Sequence, residues 1–125
     1  MTLLVAIPAL PVRDIPRAVA FYRDRLGFAS RHVDDGMGIV IRDAVEIHLL
    51  RANSPTTPGA EPYLAGSASC RIRVTNLRDL FNEYQEQDVV HPNGALASRP
   101  WGDDDFTILD ADGNAIAFCE RSASS

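Results

Sequence analysis

A repeat constrains this chain more than any other feature. Val12, Asp14, Ile15 and Tyr22 recur as Val74, Asn76, Leu77 and Tyr84 at a constant offset of 62 residues. The last strand of each half matches at an offset of 69, with His48 falling on Ala117, because the second half has longer loops. Strand, cap, helix and hairpin come in the same order twice. A period of this length marks a duplicated supersecondary module.

Within the first copy, Leu3 to Leu10 has strand composition, and Pro8 makes it an edge strand, a bent one or one that crosses between subunits. Asp14 is placed to cap a helix, with Pro16 in the first turn, where a missing N–H is harmless. Ile15, Ala18, Val19, Tyr22 and Leu26 fall at helical spacing before Gly27. Strands are expected at Phe28–Val33, Met37–Arg42 and Val45–Leu50, separated by Asp34-Asp35-Gly36 and Asp43-Ala44 turns. Ala52 to Gly66, rich in proline and glycine, reads as a functional loop or a change of module. The second copy opens with a strand at Ser67–Val74. Asn76 is positioned as a cap with Asp79 in an imperfect capping box, and Leu77, Leu80, Phe81 and Tyr84 form an amphipathic stripe. Val89-Val90 is a short strand, with a loop through Asn93-Gly94 after it. Phe106–Leu109 and Ala115–Phe118 flank an Asp-Gly turn, a hairpin signal. Ser122 to Ser125 is expected to be disordered. The fold class is α+β: two tandem β-α-β-β-β modules, about 1–52 and about 66–121, in one domain.

Period two assigns the strand faces. Val45, Ile47 and Leu49 face the helix, leaving Glu46, His48 and Leu50 opposite. Cys70, Ile72 and Val74 do the same, leaving Ser69, Arg71 and Arg73. Such a polar face is either solvated or, on a curved sheet, a concave binding surface. The lone tryptophan, Trp101, taken by itself reads as a core residue at a strand entrance.

The formal net charge of −5 argues against a nucleic-acid partner and favours a cationic one. No apolar run reaches transmembrane length, and Met1 to Val5 lacks the basic start of a signal peptide, so a cytoplasmic protein with reduced Cys70 and Cys119 is expected.

The duplicated plan, Pro-x-Arg-Asp-Ile at the first helix, Phe21-Tyr22 followed by Leu26-Gly27-Phe28, and Asp110-Ala111-Asp112-Gly113-Asn114 before the last strand resemble the vicinal-oxygen-chelate superfamily. That superfamily includes glyoxalase I, extradiol dioxygenases, fosfomycin-modifying enzymes and bleomycin-resistance proteins. The segments 6–14 and 69–74, and Trp101-Gly102 ahead of the Asp-Gly turn, are similar to the bleomycin-resistance branch. In the metalloenzyme branches each module supplies ligands from its first and last strands. Carried onto this chain, those positions are Ile7, His48, Ser69 and Ala117. A catalytic divalent metal needs about three His or carboxylate ligands, and only His48 qualifies.

The resemblance therefore implies a non-enzymatic protein without cofactor that sequesters a bleomycin-type glycopeptide antibiotic and confers resistance. It also implies a homodimer that exchanges its first strand, with the cleft between subunits. Trp101 becomes the stacking residue for the drug's planar rings. Met37 stands where several members carry an aromatic partner, and its thioether can pack on a ring. His48 is a wall residue, His32 a further contact, and Tyr63 closes over the ligand. Arg71 puts a cation where the branch shows an aromatic. With Arg73 it either welcomes an anionic ligand or pairs with Glu46 as structure. Asp34, Asp35 and Asp103 to Asp105 are expected in loops at the mouth. The alternatives are a metal-dependent lyase or dioxygenase of the same superfamily, or a binding protein for another aromatic natural product.

Overall fold

A computed structural model describes residues 1–52 and 64–123. Ala9–Val12 (β1) leads into helix Ile15–Leu26 (α1), and Ala29–Val33 (β2), Met37–Arg42 (β3) and Val45–Arg51 (β4) complete the first module. Ser69–Arg73 (β5), helix Leu77–Glu86 (α2), Ala97–Ser98 (β6), Asp103–Leu109 (β7) and Ala115–Arg121 (β8) make the second. The two sheets have equivalent orders, β1-β4-β3-β2 and β5-β8-β7-β6. In each, the first strand runs parallel to the last, and the remaining neighbours are antiparallel.

The local reasons are legible. The Asp14 carboxylate accepts from the Arg17 N–H, and Gly27 closes α1 with a φ of 78°, which a side chain would strain. Ile15, Ala18, Val19, Tyr22 and Leu26 then sit buried against Leu10, Val40, Ile47 and Leu49. Gly38 lets α1 approach β3 closely, since a Cβ there would lie 2.7 Å from Val19 Cγ2. Tyr84, Phe106 and Phe118 form the aromatic centre of the second module, and the buried residues of both modules make one continuous core.

Four expectations change. Val89-Val90 is not a strand: Val90 makes only an isolated bridge to Ile108. The first strand is Ala9–Val12, and residues 1–8 belong to no strand. Met1, Leu3, Leu4 and Val5 are exposed. Among the described residues, no strand pairs with that stretch. Asn76 does not cap α2 through its side chain; it is in the left-handed region at φ 56°. The Glu120 carboxylate on β8 does that work instead, accepting from the Asn76 and Leu77 N–H groups at 3.1 and 3.0 Å. Asp103, Asp104 and Asp105 are not loop residues at a mouth but the opening of β7.

The Asp-x-Asp-Gly-Asn turn does more than reverse the chain. Asp110 is buried and accepts from the Tyr22 hydroxyl at 2.8 Å, from Asn114 Nδ2 at 2.9 Å and from the Asp112 and Asn114 N–H groups. Asn114 Nδ2 also donates to the Pro11 carbonyl on the outer edge of β1. Asp112 accepts from both the backbone and the guanidinium of Arg13. The turn is thus a polar staple between the modules. A second tie runs from Arg42 to Glu83, Tyr84 Oη and the Leu26 carbonyl.

Candidate ligand-binding faces

Alternation along the strands delivers two polar faces, one per sheet, on the side away from the helices. On the first, the cross-strand register sets Ala9, His48, Ile39 and His32 in one row, and Pro11, Leu50 and Met37 in the next. His48 Nε2 donates to Glu46 at 2.6 Å, which holds the Glu46 carboxylate below its usual range. Arg31, at the irregular register of β2, reaches the same carboxylate at 3.3 Å. His32 donates to Asp34 at 2.6 Å, and that bond, with the Gly36 and Met37 N–H groups, lowers the Asp34 carboxyl likewise.

On the second face, Arg71, Ala117 and Thr107 make one row, and Arg73, Cys119 and Asp105 the next. Arg71 lies 3.3 Å from Asp105 and 3.8 Å from Asp103. Arg73 reaches Asp103 at 3.5 Å, and Arg99, entering from the β6–β7 turn, holds Asp105 at 2.8 Å. Asp103 and Asp105 are only 6% and 4% exposed under these guanidiniums. The alternatives for the arginines are thereby resolved in part: their partners are Asp103 and Asp105, while Glu46 belongs to His48 and Arg31. The sequence reading misses the pairings of Arg71 and Arg73 with Asp103 and Asp105, two residues it expects in a loop. The signal that could have found them is the shared period of two in Arg71-x-Arg73 and Asp103-x-Asp105.

Trp101 lies in the β6–β7 turn before Gly102 (φ 96°) and is 64% exposed, so it is no core residue. Tyr63 lies outside the described residues. In the cross-strand register Ala9 stands beside His48 and Arg71 beside Ala117. Of the mapped positions Ile7, His48, Ser69 and Ala117, His48 alone carries a metal donor. Among the described residues, no three His, Cys, Asp or Glu side chains gather closely enough to hold a metal ion. Nor do the polar side chains of the two faces hydrogen-bond to one another among those residues. A recess of about 770 Å³ lies elsewhere, between the β3–β4 turn and α2, with the Arg42–Glu83 pair and the cap residue Glu120 among its lining.

Comparison with known proteins agrees with this architecture. Residues 5–118 match the model of the Glyoxalase/Bleomycin resistance protein/Dioxygenase superfamily. Curated bleomycin resistance proteins of Geobacillus stearothermophilus and Staphylococcus aureus are each 38% identical over 129 residues, covering 95% of this chain and 98% of the relative. The crystal structure of the bleomycin-binding protein from bleomycin-producing Streptomyces verticillus, complexed with copper(II)-bleomycin, is similar with a TM-score of 0.76 and 26% identity, over 100% of this chain and 99% of that one. A transposon-encoded bleomycin resistance determinant gives 0.75 and 25%, over 95% and 98%. With the duplicated module, both sheet orders and nearly the full length in agreement, this chain belongs to the glyoxalase/bleomycin resistance protein/dioxygenase superfamily.

Proposed function

We propose that this protein binds a bleomycin-type antibiotic stoichiometrically and confers resistance by holding it, without changing it chemically. The likeness over 95% of the chain to proteins named for bleomycin resistance carries the reading. The faces are compatible with it. They offer a thioether at Met37 and polar walls, the β6–β7 turn adds an exposed tryptophan for stacking on planar rings, and the mapped ligand positions carry a single metal donor, His48.

The same reading takes the working unit to be a homodimer. The face of the first module in one chain closes on the face of the second module in another, giving two symmetric sites. The exposed, mostly apolar residues Met1 to Ile7 exchange between the subunits, turning about Pro8, whose carbonyl accepts from the His48 N–H. In this cleft Trp101, Met37, His48, His32 and Arg71 meet the ligand, Asp103 lies beneath Arg71 and Arg73 and holds them in place, and Tyr63 closes over the ligand. Among the described residues, no helix is long and apolar enough to cross a membrane. We place the protein in the cytoplasm, where it keeps the drug from DNA.

Trp101 is the only tryptophan, so its emission reports on the site without labelling. Titration with bleomycin is expected to quench it saturably at one drug per chain. Unchanged emission at high micromolar drug contradicts the proposal.

A further inference from the structure

Trp101 is exposed, yet the turn that carries it is tied from several directions. The Gly102 N–H donates to the Arg99 carbonyl at 3.1 Å, which puts Pro100 and Trp101 at the centre of a four-residue turn. Proline in the first central place presets its own φ. Gly102 follows at φ 96°, and the Arg99 N–H donates to the Asp103 carbonyl at 2.7 Å. A turn followed by a left-handed glycine is a common three-residue hairpin connection. Those bonds fix the base of the loop, and side chains fix its flanks.

On the face away from the helices, Arg99 Nε donates to Asp105 at 2.8 Å. On the opposite face, Asp104 Oδ1 accepts from the hydroxyls of Ser98 and Ser122, both at 2.7 Å. One carboxylate oxygen thus joins β6, before the turn, to the residue that follows β8. The Ser122 N–H completes the tie by donating to the Gly102 carbonyl at 2.9 Å. Ser122, expected in a disordered tail, is therefore bonded on both its backbone and its side chain. The two hydroxyls hold the Asp104 carboxyl below its ordinary range, so it is an ionised acceptor at neutral pH, and hydrogen bonds to an ionised acceptor are the stronger kind. Alternation along β7 sets Asp104 on the side of Phe106, against the helices, and away from Asp103 and Asp105. It cannot touch a ligand held on the other face.

We infer that Asp104, with Ser98 and Ser122, is a positioning residue for Trp101: it holds the β6–β7 turn in its binding geometry before any ligand arrives. Ordering a mobile loop during association costs affinity, and a loop ordered beforehand avoids that cost. This rests on the reading of Trp101 as the stacking residue, and it adds that affinity is set in part from the back of the sheet, by groups that never meet the drug.

The test reads backbone order first, from nitrogen relaxation of the Trp101 and Gly102 amides in the free protein. Order parameters of about 0.85 are expected in the wild type, and below about 0.6 in Asp104→Ala. Asp104→Asn keeps the accepting oxygen and is expected to restore the order. Ser122→Ala leaves the β7 ladder untouched and should loosen Gly102 in the same direction as Asp104→Ala. Equal order in the wild type and both alanine variants overturns the inference. Calorimetric titration with bleomycin then reads affinity. Asp104→Ala is expected to bind about tenfold more weakly, and saturation with the drug to return its Trp101 amide to wild-type order. Undiminished affinity despite a loosened turn overturns the inference, as does weaker binding with the turn as ordered as in the wild type. If the wild type does not bind bleomycin while Asp104→Ala still loosens the turn, the tie between Asp104 and the turn stands and the drug-binding proposal fails.

Discussion

Tyr22→Phe isolates one bond of the staple between the modules. Tyr22 is fully buried on α1, and its hydroxyl donates to Asp110 Oδ2 at 2.8 Å. Burial first, and then the Asp110 charge, raise the phenol's pKa well above its ordinary value, so it stays a donor at every pH of interest. The substitution keeps the ring and its edge contacts with Phe21 and Phe28. It leaves Asp110 with three of its four donors. A hydrogen bond to a charged acceptor is worth about 1.5–3 kcal/mol, and the surviving donors favour the middle of that range, about 2 kcal/mol. For a chain of this size, 1 kcal/mol moves Tm by roughly 4 °C, so a fall of roughly 8 °C is expected. Thermal unfolding at fixed protein concentration measures it, because an oligomer's Tm depends on concentration. A cycle with Asp110→Asn should return most of the loss as coupling between the two sites. A Tm change below roughly 2 °C for Tyr22→Phe refutes the idea that this bond ties the modules together.

Two further outcomes follow from the structure. Deleting residues 1–7 should give a folded protein of unchanged secondary structure, since residues 1–8 join no strand of their own chain. In sedimentation it should run as a monomer and lose drug binding; a stable dimer after the deletion contradicts the exchange. Glu46, Asp34 and Asp104 all have carboxyl groups held below their ordinary range, Glu46 by His48, Asp34 by His32, and Asp104 by the Ser98 and Ser122 hydroxyls. Their stabilisation is complete above the unfolded carboxylate pKa of about 4 and is lost as pH falls through the depressed folded values. Tm should therefore be flat from neutrality down to about pH 5 and then drop. A rise in Tm below pH 4 reverses the expected sign.

What the sequence disclosed was whatever is encoded locally. The stripe from Ile15 to Leu26, the Asp14 cap and the αL glycine after α1 depend on neighbours within a turn or two, and α1 is where the periodicity puts it. Strand faces follow from alternation, and Val45–Arg51 and Ser69–Arg73 present the expected sides. Pairing across long separations was hidden. Asp103 to Asp105 look like a solvated run, since aspartate is a poor strand former. They enter β7 because Arg71 and Arg73, some thirty residues earlier, neutralise the inward pair. The Asp-Gly turn showed its local role in the hairpin but not its tie to Tyr22 and Pro11. The capping of α2 by Glu120 is equally remote, 44 residues from Asn76. Leu3 to Ile7 have strand composition but stay unpaired, because composition supplies half of a ladder and the other half must come from a second edge.

The central claim is capture without chemistry. Calorimetric titration of the protein with bleomycin, followed by mass measurement of the drug released on denaturation, tests it most directly. The account predicts one drug per chain, an unaltered drug mass after prolonged incubation, and loss of binding in a folded Trp101→Ala variant. A changed drug mass, substoichiometric turnover, or undiminished affinity in Trp101→Ala contradicts it.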